Sequence, residues 1–302
     1  MQPQPASTID ASPAPFDRMS GRLIGGLAAI GALPGCLFVL LYRPFDVAKV
    51  VGPLVIYAGV AIALVAVAPS RGVDLKRLFG RALTWREAAL SMGLAITILA
   101  FSFGTLIAGL AAVSLAQPTF LEEIAESAPG FLVRANGRIE LWATLLGAAT
   151  GALVAPVVEE LVFRGFLFTR WARRFGLVRG LVFSALLFGL LHLSLQPLGA
   201  LTLGLMAGLL YVRTRSLWSP IVANLTNNII VVTTSTLGQS GGGPTHLVPT
   251  PGELRHLLLV GVALVLVSVP LLVVALRRLW PAPGTTLPYD APAAAAEAPG
   301  RL

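Results

Sequence analysis

From Gly180 to Val212 the chain runs for about 33 residues without a Lys, Arg, Asp or Glu, and this is one of several such uncharged stretches. A helix needs about 20 apolar residues to cross about 30 Å of hydrocarbon, where only helices and closed barrels satisfy their own backbone. The composition agrees: 56% of the residues are hydrophobic, 12% are charged, and the mean hydropathy is +0.82. A soluble domain carries about 25% charge. A water-soluble fold is therefore excluded, and an all-α polytopic membrane helical bundle is expected. The net charge of +8 does not signal a nucleic-acid partner, because a basic footprint needs a folded soluble surface and no segment here could form one. Cys36 is the one cysteine and lies in an apolar run, which excludes a disulfide framework and a cysteine metal cluster.

About eight transmembrane helices are read: Leu23–Tyr42, Val50–Ala68, Ala88–Ala116, Leu141–Thr169, Val178–Leu195, Leu198–Val212, Leu217–Leu237 and Leu257–Leu276. The uncharged run is split at Gln196-Pro197, since it is too long for one helix and short for two. Its halves then need a tight turn buried below the outer surface by neighbouring helices. Residues 1–20 read as a disordered tail without the basic opening of a cleaved signal peptide, 21–280 as the membrane domain, and 281–302 as a second disordered tail. Val73–Glu87 reads as an amphipathic surface segment and Gln117–Glu140 as a solvated outer connector. Cytoplasmic loops retain Lys and Arg. With the N-terminus inside, all of the 22 basic residues except Arg43, Lys49, Arg134, Arg138 and Arg255 fall on the inner side. Both termini are therefore expected in the cytoplasm, the chain crossing the plasma (inner) membrane.

Ionisable groups inside a span cost several kcal/mol each and usually serve function. The fourth span alone carries them in number, as Glu159, Glu160 and Arg164. Glu160 and Arg164 are four residues apart on one face, a spacing that lets them pair and support the structure. Glu159 lies about 100° further round with no cation one turn on, so it needs a partner from another helix. His192, the one histidine within a span, lies about 18–20 Å up the fifth helix at 1.5 Å per residue, level with Glu159, with Phe188 one turn below it. A lone buried histidine is commonly a satisfied hydrogen-bonding residue; the matched depth favours a functional pair. In the seventh span Asn224 and Asn228 share a face, with Asn228 at the depth of His192, while Asn227 reads as an interhelical hydrogen-bonding residue. His246 and His256 read as surface residues. Gly147–Gly151 and Gly204–Gly208 are Gly-x-x-x-Gly packing signals.

Taken in order, Glu-Glu-x-x-Phe-Arg-Gly at Glu159–Gly165, Phe-x-x-x-His at Phe188–His192 and the Trp218-Ser-Pro-led helix reaching Asn228 resemble the CPBP intramembrane metalloproteases. That family includes type II CAAX prenyl endopeptidases and Abi-like bacteriocin-processing and self-immunity proteins. The resemblance covers about residues 140–235. It implies that Glu159 and His192 activate a water and that the third motif, usually His-x-x-x-Asn, polarises the scissile carbonyl or holds a metal. Here Asn228 fills the asparagine position and Asn224 replaces the histidine. Asparagine can donate to an oxyanion but is a poor transition-metal ligand. The resemblance therefore leaves open zinc held by Glu159 and His192 or a metal-free reaction, the good ligands being fewer than the usual three.

Three functions follow from these residues. The first is an intramembrane endopeptidase acting on a membrane-embedded or membrane-associated peptide of the prenylated type. The second, motivated by Asn224, is a catalytically silent relative that binds a membrane peptide or acts as a scaffold or immunity factor. The third is a proton-coupled transporter using the Glu159–His192 pair, against which the lack of inverted repeats argues.

Overall fold

The computed structural model describes residues 15–42, 45–117, 132–135, 138–192, 197–240 and 250–291. In chain order the helices are α1 (Pro15–Arg18), α2 (Gly21–Leu41), α3 (Phe45–Val67), α4 (Leu75–Phe79), α5 (Trp85–Ala116), α6 (Leu141–Phe175), α7 (Leu177–Leu191), α8 (Pro197–Thr214), α9 (Trp218–Ser240) and α10 (Pro251–Leu279). A two-residue antiparallel pair, Arg134–Ala135 (β1) with Arg138–Ile139 (β2), precedes α6. The fold is an all-α membrane bundle, and its eight long helices fall where the eight apolar runs predict them. Among the described residues six are long and apolar enough to cross a membrane: α2, α3, α5, α6, α8 and α10. The other two depart for visible reasons. α7 has 15 residues, and α9 is diluted by asparagine, serine and threonine. The Gln196-Pro197 turn itself falls largely outside the described residues.

Burial is inverted relative to a soluble bundle: leucines and valines of α2, α7 and α10 point outward, while α8 is the most enclosed span, 61% buried over its apolar window. Lipid is as apolar as leucine, so association depends on close backbone approach. α2 and α3 pack through paired glycines: a Cβ on Gly59 would collide with the Gly31 backbone, and one on Gly35 would stand 2.7 Å from the Ile56 nitrogen. Gly204 and Gly208 place α8 against Ala185 and Leu181 of α7, whereas Gly147 meets nothing within 4 Å. One of the two Gly-x-x-x-Gly signals thus packs a helix pair.

The described parts of the two expected tails, 15–20 and 281–291, fold against the bundle. In the first, Phe16 is fully buried and Pro15–Arg18 form a helical turn; in the second, Tyr289 and Ala291 are buried. The Phe16 ring meets Tyr289 edge-on at 4.8 Å, the Asp74 N–H donates to the Tyr289 hydroxyl at 3.0 Å, and ion pairs join Arg170 to Asp17 (2.9 Å) and Arg173 to Asp290 (2.6 Å). A few aromatic anchors in Pro- and Ala-rich sequence hold these segments down. Residues 1–14 and 292–302 of the expected tails lie outside the described residues. Val73–Glu87 lies at the surface as expected, with Asp74, Lys76, Arg77, Trp85 and Arg86 exposed, and its other face is knitted into the bundle. Leu78 is fully buried and its carbonyl accepts from Tyr211, the Phe79 carbonyl accepts from the Leu217 N–H, and buried Glu87 pairs with Arg81. Gly80, at φ +70°, makes the turn beside the Arg215 carbonyl that leaves no room for a Cβ. These contacts gather both chain ends, α4 and the α6–α7 turn at one end of the bundle.

Candidate active site

The carboxylates sit in the middle of α6, where the helix is locally widened. Pro156 has no N–H to return to the preceding turn, and the backbone over Thr150–Val154 takes π-helical spacing; a second π stretch covers Leu161–Phe168. Such wide turns recur at functional sites because they redirect side chains. The Thr169 hydroxyl donates to the Arg164 carbonyl, five residues back, at 3.1 Å.

The predicted Glu160–Arg164 pair is present. Both side chains are fully buried, with Nη1 donating to Glu160 Oε1 at 2.7 Å. Arg164 Nη2 donates to the Gly204 carbonyl at 2.8 Å, and its guanidinium lies 4.7 Å from the centre of the Phe188 ring. Glu159 finds its partners on other helices, as its isolation on α6 requires. Tyr57 on α3 donates to Oε1 at 2.9 Å, Asn224 on α9 donates to Oε2 at 3.2 Å, and His192 Nε2 stands 3.8 Å from Oε1. The depth match between Glu159 and His192 is thus reproduced in space. His192 does not lie within a helix as expected: α7 stops at Leu191, and His192 caps it at φ −105°, ψ 43°. Its ring stacks on Phe188 at 4.3 Å, and Nδ1 is 2.8 Å from the Phe188 carbonyl. A carbonyl only accepts, so Nδ1 carries a hydrogen, and the ring is held with Nε2 turned toward the Glu159 carboxylate.

Asn224 forms interhelical hydrogen bonds. Its Nδ2 also donates to Glu160 Oε1, at 2.9 Å, so one amide bridges two neighbouring carboxylates that helical spacing alone separates. Both of its donor hydrogens are thereby engaged. Asn227 Nδ2 donates to Asn228 Oδ1 at 3.1 Å, a bond within α9 rather than the interhelical one expected. Glu159, His192, Asn224 and Asn228 all line one cavity of about 190 Å³, closed by Ser102 from α5 and Leu203 from α8. Tyr57 is the partner that sequence reasoning missed. The signal was there, since it carries the one polar side-chain group in the run Val50–Ala68. Ser102 and the Gly204 carbonyl had no such signal.

Comparison with known proteins bears out the resemblance to the CPBP membrane proteases. Residues 140–230 match the family described as type II CAAX prenyl endopeptidase Rce1-like. Over 82 residues the chain is 33% identical to a Bacillus subtilis (strain 168) protein named "Putative membrane peptidase YdiL". That alignment covers 27% of this chain and 34% of the relative, so the chain spans about a third of the length of the curated protein it matches. No solved structure matches. The matched segment holds Glu159, Glu160, Arg164, Phe188, His192, Asn224 and Asn228; Tyr57 lies outside it.

Proposed function

We propose, from this kinship, that the chain is an intramembrane endopeptidase. In this reading it hydrolyses a peptide bond of a membrane-associated, prenylated-type substrate, with its termini in the cytoplasm of a plasma (inner) membrane cell. The observation that carries the reading is the meeting of the Glu159 carboxylate and His192 Nε2, 3.8 Å apart at a cavity. A water in reach of both groups is oriented by them for attack. As its oxygen bonds to the scissile carbonyl carbon, its proton passes to Glu159. The tetrahedral oxyanion takes a hydrogen bond from the Asn228 amide, whose Oδ1 is already occupied by Asn227. When the C–N bond breaks, Glu159 returns the proton to the leaving amine. Asn224 holds both carboxylates in place, and Tyr57 orients Glu159.

Zinc fits this donor set poorly. Among the described residues no three His, Cys, Asp or Glu side chains converge, where a catalytic zinc uses three protein ligands. Each Glu159 oxygen also already accepts a hydrogen bond. The mechanism is therefore derived without a metal.

The same two hydrogen bonds favour a second reading, in which the site binds a membrane peptide without cutting it. Proteoliposomes given a prenylated peptide and its unprenylated twin, with products read by mass spectrometry, separate the two. Cleavage by wild type and none by Glu159→Gln supports the endopeptidase. Binding without product supports the silent relative, and equal cleavage by both proteins removes Glu159 from the mechanism.

A further inference from the structure

The basic end of the bundle holds a second cavity, remote from the carboxylates, that the hydrolytic reading does not use. Arg22 at the start of α2 faces Arg170 and Arg174 at the end of α6 across a space of about 310 Å³, with Ser20, Gly21 and Trp171 also on its walls. Among the described residues Asp17 is the one acid bonded to these arginines, and it neutralises Arg170 at 2.9 Å. Arg22 and Arg174 are exposed side chains that leave the cavity with a surplus of positive charge. The remaining polar groups are also donors. The Trp171 indole nitrogen lies beside Gly21, 3.9 Å from where a Cβ would stand, and α2, 21 residues long, begins at the cavity wall.

One rim of this cavity is apolar. Phe175 lines it, and Phe183 of α7 stands edge-on to both Phe175 (5.7 Å) and Trp171 (6.4 Å). From there Val182 and Leu186 continue an outward-facing strip along α7, away from the charged end. The occupant this fits carries an anion that guanidinium and indole donors recognise, joined to a chain that lies on hydrocarbon. A free phosphate satisfies only the first half. Basic pockets between membrane helices recognise lipid headgroups in this way.

We propose that this cavity binds the phosphate of an anionic phospholipid, with its acyl chain along the Val182–Phe183–Leu186 strip of α7. The test uses the full chain in mixed micelles, titrated with dioleoyl-phosphatidylglycerol or dioleoyl-phosphatidylcholine and read by native mass spectrometry. Wild type is expected to retain phosphatidylglycerol in preference, and to keep it in the presence of excess inorganic phosphate. Arg22→Gln/Arg174→Gln is expected to weaken that binding about thirtyfold, about fivefold for each arginine near a membrane surface. Arg277→Gln/Arg278→Gln removes two exposed arginines at the end of α10 instead and is expected to leave it unchanged. Both double variants alter exposed residues, and equal melting temperatures verify that they fold. Unchanged binding by Arg22→Gln/Arg174→Gln, or an equal loss in the α10 variant, would overturn the site. Displacement by inorganic phosphate, with no preference between the two lipids, would overturn the lipid as its occupant.

Discussion

Replacing Glu160 by glutamine removes the carboxylate that pairs with Arg164, and both side chains are fully buried. Glutamine is nearly isosteric, so its oxygen still accepts from Arg164 and Asn224; what disappears is the charge. Removing one partner of a buried pair costs about 3–5 kcal/mol. The guanidinium keeps the Gly204 carbonyl at 2.8 Å and the Phe188 face at 4.7 Å, contacts that hold the loss near the lower end, about 3 kcal/mol. At about 2–4 °C per kcal/mol for a domain of some size, Glu160→Gln melts about 6–12 °C below wild type. Glu159→Gln is the matched control. It is one residue away, shares the Asn224 bridge and keeps an acceptor for Tyr57, so it loses about 1 kcal/mol. A third variant, Glu160→Gln/Arg164→Met, removes both charges and is expected to melt above Glu160→Gln, because a neutral packed pair commonly matches a buried ion pair. Fluorescence-detected thermal unfolding in one detergent compares the four proteins. If Glu160→Gln melts within about 2 °C of wild type, or the double variant falls below it, the pair is not what holds α6 against α8.

The two asparagines are expected to separate. Asn228→Ala slows peptide hydrolysis by about 10² to 10³, the worth of one oxyanion donor. Asn224→Ala mainly lowers the melting temperature, through about 1–3 kcal/mol for acceptors left unpaired; an equal kinetic loss with unchanged melting would return Asn224 to the oxyanion. Tyr57→Phe deletes the 2.9 Å bond to Glu159 and is expected to reduce kcat with little change in KM for the peptide, and an unaltered kcat would make Tyr57 a packing residue. Gly59→Leu sets a side chain against the Gly31 backbone and is expected to separate α2 from α3, seen as loss of a disulfide engineered across that pair that forms in the parent protein.

Much of the bundle could be read along the chain because the bilayer enforces a length rule on each helix independently. The run Leu23–Tyr42 matches α2 within two residues, and Leu257–Leu276 lies inside α10, which starts six residues earlier. The segments that flank the bundle carry less signal. Phe16 and Tyr289 look unremarkable among prolines and alanines, and only their meeting at 4.8 Å turns two tails into a clasp. Helical spacing correctly paired Glu160 with Arg164, yet it also separated Glu159 from Glu160, since it carries no information about a third helix offering one amide to both.

Repeated membrane crossing, the costly intramembrane groups Glu159, Glu160, Arg164, His192 and the α9 asparagines, and a common depth for Glu159 and His192 can all be read along the chain. Each follows from one-dimensional physics: hydrophobic length, the cost of burying charge, and a rise of 1.5 Å per residue. Depth, however, is one coordinate of three. Which atoms at that depth touch depends on how the helices pack. Packing brings Tyr57, 102 residues before Glu159, to donate to it, and sets Asn224 to give its hydrogens to two carboxylates. The His192 ring is likewise turned by the Phe188 carbonyl so that Nε2 faces Glu159. Hydrogen bonds depend on direction within a few tenths of an ångström, and that direction is set by how α3, α6, α7 and α9 rotate against one another, through contacts far apart in the chain.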